Sequence, residues 1–426
     1  MEYISSSSPR WSFTRKLIFR IAFVFFVLNI APFPLTILPY VGEFIYGILE
    51  TFWNFWVQGA GKIFFGISEI TSRPNGSGDT TWNWVQLFVI VLFSVIGGVI
   101  WSIADRRRRN YEQLGYWFNV LLRYYLATTL FSYGFVKIFP LQFGNITTYR
   151  LFERLGDMSP MGLLWTFMAY SEQYQLFGGL MEVIGGALLL FRRTTTLGAL
   201  ISMSVLTNVF VMNLFFDVPV KIYSGWLLLI TVYLAFDDIQ RLVNFFLLNR
   251  PTTPRDLKTF SNKRWFQIGR IVLKTIFIVA TGGMMFYESW QSSQYKDVPK
   301  SALYGPYRAE SFERNGVVSS ADTLRWQEVF VDRRGTYDMV SVTNEDGLRK
   351  RLNFVKDDKA HTLTVTDNND TLKNTFRYTQ PDSSTLRLVG VYRHDSLKVL
   401  MRKMDRKKFM LTSRGFHWIN EVPFNK

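Results

Sequence analysis

The chain has 426 residues, 48% hydrophobic and 17% aromatic, with a formal net charge of +16. It contains no cysteine, so disulfides, thiolate catalysis, cysteine-bound metal and cysteine-held iron–sulfur clusters are excluded. All three histidines, His361, His394 and His417, fall in the last fifth of the chain, which removes a haem held between membrane helices on histidine ligands.

The apolar residues are clustered. Several windows are apolar for about 18 residues or more, enough to cross a hydrocarbon core of roughly 30 Å. After about residue 295 such windows stop. The prediction is a membrane α-helical bundle of about seven transmembrane helices followed by an all-β antiparallel domain. Residues 1–16 form a cytoplasmic tail, 17–290 the membrane domain and 296–426 the β domain.

In chain order, the spans are predicted at 17–35, 82–104, 117–139, 174–191, 195–216, 222–239 and 266–287. The first apolar run continues for a full span without a small-residue cleavage site, so no cleavable signal peptide is expected. Between the first two spans, YVGEFIYGILETFWNFWVQ carries polar or small residues at Glu43, Gly47, Glu50, Asn54 and Gln58, in steps of three or four. That pattern predicts an amphipathic helix near 41–58, lying on the outer leaflet with its Trp and Phe face in lipid. DDIQRLVNFFLLNRPTTP predicts a short surface helix that stops before Pro251.

Orientation follows from basic residues. With a cytoplasmic N-terminus, the inner loops and helix ends collect eighteen Lys and Arg, including Arg106 to Arg109, Arg192 and Arg193. The outer side keeps six: Lys62, Arg73, Lys137, Arg150, Arg154 and Lys221. This is the positive-inside asymmetry, and an odd number of spans then delivers the C-terminal domain to the outer, periplasmic side of a bacterial inner membrane.

From Tyr337 the period changes. YDMVSV, LRKRLNFV, HTLTVTD, NTFRYT, TLRLVGVYR, LKVLMRK and KFMLTSR alternate over four to nine residues, separated by NEDG, KDDKA, NNDTL, QPDSS and HDS. Such short turn-rich connections let only neighbouring strands pair, and LYGPYRAESFER and LRWQEVFV supply the first strands. An up-and-down meander follows, closed most simply as a lipocalin-like barrel, either filled by side chains or holding one small apolar ligand. Thr80, Thr323, Thr371 and Ser396 each sit in an Asp-Ser/Thr-apolar triplet that resembles the periplasmic O-glycosylation signal of Bacteroidota; polar turns are the plainer reading.

Two charged residues stand within the predicted spans. Lys137 is about 4 Å inside the outer interface and Glu182 roughly 12 Å inside it, at 1.5 Å per residue. A lone glutamate in hydrocarbon costs several kcal/mol unless neutral or partnered, so the expectation is a Lys137 to Glu182 pair. Gly178, Glu182 and Gly186 share a face on which backbones can approach closely. With Arg123, Asn208 and Asn213 these residues make a predicted polar seam, whose plain role is helix glue. Near the C-terminus, Arg414, His417, Trp418, Asn420 and Glu421 cluster without a nucleophile, which predicts a Trp plugging one barrel end with Arg stacked over it.

The segments RYYLATTLFSYGFVKIFP and GLMEVIGGALLLFRRTTTLGALI resemble the DoxX family of small four-helix membrane proteins, on Gly134, Lys137, Glu182, Gly185, Gly186 and Arg193. The ending LTSRGFHWINEVPFN is similar to the tails of longer DoxX-type proteins of Bacteroidota. The resemblance implies a non-catalytic membrane component, some relatives being small subunits of quinone-linked oxidoreductases. The leading expectation is a non-enzymatic membrane component that binds a lipid or quinone, or a membrane or periplasmic protein partner; the alternatives are a cell-envelope scaffold and a quinone-linked oxidoreductase subunit. Membrane lipids are the expected surroundings, and no nucleic-acid partner is expected.

Overall fold

The computed structural model describes residues 10–38, 40–71, 75–254, 263–294, 299–318, 325–334, 337–347, 349–367 and 372–425. The chain divides into two compact units. One comprises Met1–Gln142 with Gln173–Ser289, the other Phe143–Glu172 with Trp290–Lys426. The segment 143–172, assigned from sequence to the membrane domain, groups with the β domain.

The helices are α1 (Phe13–Ile30), α2 (Val41–Phe65), α3 (Thr81–Ala104), α4 (Glu112–Ile138), α5 (Pro160–Tyr170), α6 (Glu172–Leu189), α7 (Thr195–Phe215), α8 (Lys221–Phe236), α9 (Ile239–Phe246), α10 (Arg264–Phe277) and α11 (Met284–Ser293). A π-helical segment, Ile278–Gly283, joins the last two. Starts carry recognisable caps. Thr80 and Asn83 form a reciprocal capping box on α3, and Ser159 caps α5 ahead of Pro160.

Among the described residues four stretches, Phe13–Ile37, Thr81–Ala104, Thr195–Phe215 and Arg264–Ser293, are long and apolar enough to cross a membrane. α8 and α9, bent by 78° at their junction, make up to five. α4 and α6, which carry Lys137 and Glu182, fall outside that set.

α4 is central to the first unit. Phe118, Leu122, Leu126 and Leu130, one turn apart, are buried against Phe19, Phe26 and Ile30 of α1, Leu189 of α6 and Ile230 and Leu234 of α8. Beside them Arg20, 1% exposed, joins three helices. Its Nε and Nη2 donate to the Tyr111 hydroxyl at 2.9 and 2.7 Å, and its Nη1 donates to Ser102 at 2.8 Å. The Tyr111 hydroxyl in turn donates to the Asp105 carboxylate at 2.8 Å. A guanidinium with its donors occupied this way tolerates burial that a lone charge would not.

α2 runs past the predicted end to Phe65 and is only partly the surface helix expected. Trp53, Val57 and Ala60 bury against Val85, Val89 and Ile90 of α3, and Asn54 accepts a bond from the Trp82 indole at 2.9 Å. Gln58 bonds both backbone groups of Ile70, at 2.6 and 3.1 Å. Its other side, with Phe44, Phe55 and Ile63, stays exposed.

In the second unit the strands are β1 (Gly305–Arg314), β2 (Val317–Val318), β3 (Trp326–Arg334), β4 (Tyr337–Asn344), β5 (Arg349–Asp357), β6 (Thr362–Asp367), β7 (Lys373–Thr379), β8 (Thr385–Tyr392) and β9 (Asp395–Lys403). β3 to β9 pair in sequence order, β1 pairs β3, and β1 also pairs β9 from Tyr307↔Lys403 to Arg314↔Leu397. These contacts close an eight-stranded antiparallel barrel, with β2 as a short flap on β1. KFMLTSR, predicted as a further strand, is instead a 3₁₀ turn and a short helix, α12 (Met410–Ser413). Because β9 is already paired on both edges, no free edge is left for it.

Inward residues of alternating strands fill the barrel. Leu303, Phe312, Phe376, Leu386, Val399 and Met401 are each at most 2% exposed. Gly390 is required here: a Cβ would overlap the Thr375 carbonyl oxygen. On the outer wall of β3, Phe330 and Asp332 are also buried, because 143–172 lies over them. The Thr148 amide donates to Asp332 at 2.8 Å, Phe152 packs between Phe330 and Phe409, and the Arg349 guanidinium sits 3.2 Å over the Tyr149 ring. In the loop before β8, hydrogen bonds from the Ser384 side chain and amide and from Thr385 hold the Asp382 carboxyl down at about 2.

Candidate functional site

α4 and α6 cross where both have glycine. A Cβ on Gly134 would come within 2.6 Å of Val183, and one on Gly179 within 2.6 Å of the Gly134 carbonyl oxygen. One turn along from this contact, the Lys137 ammonium donates to both oxygens of Glu182, at 2.8 and 2.7 Å. A longer contact of 3.4 Å reaches the Tyr133 carbonyl, and the Tyr133 ring centroid lies 5.5 Å from Nζ. Glu182 is 3% exposed. The small residues thus set a backbone separation short enough for the two charges to meet, and each neutralises the other in low dielectric.

The remaining predicted seam residues lie elsewhere. Arg123 donates to the Leu189 carbonyl at 2.7 Å, at the C-terminal end of α6, about two turns from Glu182. Asn213 donates to Ser224 at 3.0 Å and fastens α7 to α8. Asn208 is exposed on α7, so it is no part of an internal seam. Gly178 and Gly186 flank the crossing, while Gly185 faces Ser202 of α7.

The C-terminal cluster does not plug the barrel. Trp418 is 91% exposed, with Phe416 as a ring neighbour at 5.0 Å. Arg414 donates to Asn420 at 2.6 Å and lies 4.0 Å over Phe424, not over the tryptophan. His417 Nδ1 is 3.2 Å from the Gly415 carbonyl, and Glu421 is exposed. The tryptophan that fills the barrel is Trp326, against Phe376 and Tyr392 at 5.7 and 5.6 Å. It sits at an inward position of a paired strand, whereas Trp418 follows the last strand, where no pairing orients it.

Of the triplets resembling glycosylation signals, Thr323 and Thr371 lie outside the described residues. The Thr80 hydroxyl is engaged in the α3 cap, and Asp79 accepts from the amides of Lys221 and Ile222 at 2.7 and 3.0 Å. Ser396, at the start of β9, contacts Asn315. For these two, the structural role of the triplet is plain.

Space for a ligand is distributed unevenly. The barrel interior leaves about 20 Å³, room for about one water, and a shallow depression at one end holds about 70 Å³. The helical unit contains a half-open cavity of about 800 Å³ where the C-terminal ends of α1 and α4 meet the N-terminal ends of α3 and α8, with α2 alongside. Sequence reasoning missed it, since it is walled by five helices far apart in the chain. The isolated signal was Gln86, an amide in the most apolar helix of the chain.

No family model and no solved structure matches the chain. Over 126 residues it is 34% identical to the "Uncharacterized protein YwoB" of Bacillus subtilis (strain 168), an alignment covering 29% of this chain and 79% of that relative.

Proposed function

The chain belongs to the same family as YwoB, and we propose, on the likeness of its Gly134–Lys137 and Glu182–Gly186 motifs to the DoxX family, that it is a DoxX-like integral protein of a bacterial inner membrane, without catalytic activity of its own, that binds a lipid or quinone within its helical unit. In this reading seven helices cross the membrane, the N-terminus is cytoplasmic, and the lipocalin-like barrel is periplasmic and docks a protein partner through its outer surface.

The observation that carries the reading is the distribution of empty space: the helical unit holds a cavity of ligand size, and the barrel interior is shut. The Lys137–Glu182 pair supports it in a second way. With its charges mutually satisfied, it acts as a fastener that keeps α4 and α6 in register beside the cavity.

Two measurements test this. Periplasmic reporter fusions after residue 425 are expected to be active; activity only of cytoplasmic reporters would reverse the topology. Organic extraction of the purified protein followed by mass spectrometry is expected to recover one lipid or quinone species enriched over the bulk membrane. An extract that mirrors bulk composition would count against ligand binding and favour the scaffold role.

A further inference from the structure

The cavity's lining is selective in its chemistry. Aromatic and aliphatic walls come from Phe33, Trp53, Trp82, Leu87, Ile90 and Trp226. Into this apolar space project polar groups that the protein does not use. Gln86 makes no side-chain hydrogen bond among the described residues, and neither does the Tyr133 hydroxyl. The Tyr125 and Tyr223 hydroxyls meet at 3.5 Å, with Thr129 beside Tyr125, and a phenol that both donates and accepts keeps further hydrogen-bonding capacity. The Asn29 amide donates to Phe25 and leaves its oxygen open to the cavity. In a segment built to lie in lipid, unsatisfied amides and phenols are costly unless something meets them.

The charge pattern narrows what that something is. Among the described residues no lysine or arginine lines the cavity, and the one carboxylate there, Glu50, is exposed at the rim. Lys137 lies on the other side of Tyr133 with its ammonium held by both Glu182 oxygens. An anionic head group would therefore find no counter-charge and would meet a carboxylate at the entrance. A volume of about 800 Å³ is within the usual range for a pocket that encloses one small molecule.

We infer that this cavity binds an amphiphile whose head group is uncharged and rich in hydroxyl or carbonyl groups, the head lying among Gln86, Tyr125, Tyr133 and Tyr223 and the apolar chain along the aromatic walls. The inference rests on the reading that the helical unit is the ligand-binding part, and it adds the chemical class and the head-group contacts.

The experiment uses the full-length protein in nanodiscs of zwitterionic lipid with a photoreactive monoacylglycerol as probe. Unlabelled 1-oleoylglycerol and 1-oleoyl lysophosphatidic acid, which share a chain and differ in head charge, serve as competitors. Saturable labelling of peptides from α3 and α4 is expected, with the uncharged competitor at least about tenfold more effective than the anionic one. Gln86→Leu combined with Tyr133→Phe is expected to weaken probe binding about thirtyfold, two hydrogen bonds of about 1 kcal/mol each being lost, while the thermal midpoint is kept. Equal competition by the two lipids would overturn the head-group assignment and leave ligand binding by the helical unit standing. Labelling that does not saturate, with either competitor without effect, would overturn both. If the double variant fails to fold, the two competitors still decide the matter with the unaltered protein.

Discussion

The barrel and the helical unit solve the packing problem in opposite ways. In the barrel, side chains from eight strands converge on one axis, and alternation delivers every second residue inward, so the interior closes to about 20 Å³. In the helical unit, association depends on small residues and polar pairs, since lipid is as apolar as leucine, and contacts concentrate where glycines allow close approach. Away from the Gly134–Gly179 crossing, α1, α2, α3, α4 and α8 surround a space of about 800 Å³. Density is thus a property of the barrel as a whole, but only of particular crossings in the bundle.

The largest expected effect comes from breaking the fastener in the bundle. Lys137→Ala leaves Glu182 buried without a partner, and Glu182→Leu does the same to Lys137; each is expected to cost about 3–5 kcal/mol of stability, whereas Lys137→Met with Glu182→Leu recovers most of it. Thermal unfolding in nanodiscs reads this out, and single variants costing under about 1 kcal/mol would mean the pair is solvated. Next, Phe376→Ala in the barrel is expected to cost about 3–5 kcal/mol, and Leu87→Ala, on the cavity wall, about 1 kcal/mol, because one side of Leu87 already borders empty space. Equal losses at the two positions would erase the contrast between the units.

The smallest effect concerns pH. The folded-state value of Asp382, about 2, lies below the ordinary carboxyl value near 3.9, so its hydrogen bonds stabilise the barrel fully above about pH 4 and are lost as pH falls through about 2. Asp382→Asn should remove that part of the acid dependence between pH 4 and 2, as followed by barrel unfolding. An unchanged acid profile would show that the loop does not couple to barrel stability.

The meander was legible because its signals are local. Alternation along TLTVTD or KNTFRYT and turn residues such as QPDSS fix strands and neighbours within about ten residues of each other. The charge of Lys137 and Glu182 was legible for a related reason: a bilayer makes a single buried charge conspicuous, and partners are few. Asn208 and Trp418 misled because side-chain chemistry alone does not say which way a residue points.

By itself the sequence determined most of the apolar helices and strands, and that one lysine and one glutamate in the helices needed each other. Only the tertiary structure decided that β1 meets β9 and leaves no edge for KFMLTSR, that 143–172 covers the outer wall of β3, and that five helices enclose a cavity around Gln86. The physical reason is one of range. Periodicity and desolvation act on a residue and its near neighbours, while closure, cover and enclosed volume depend on where distant segments come to rest.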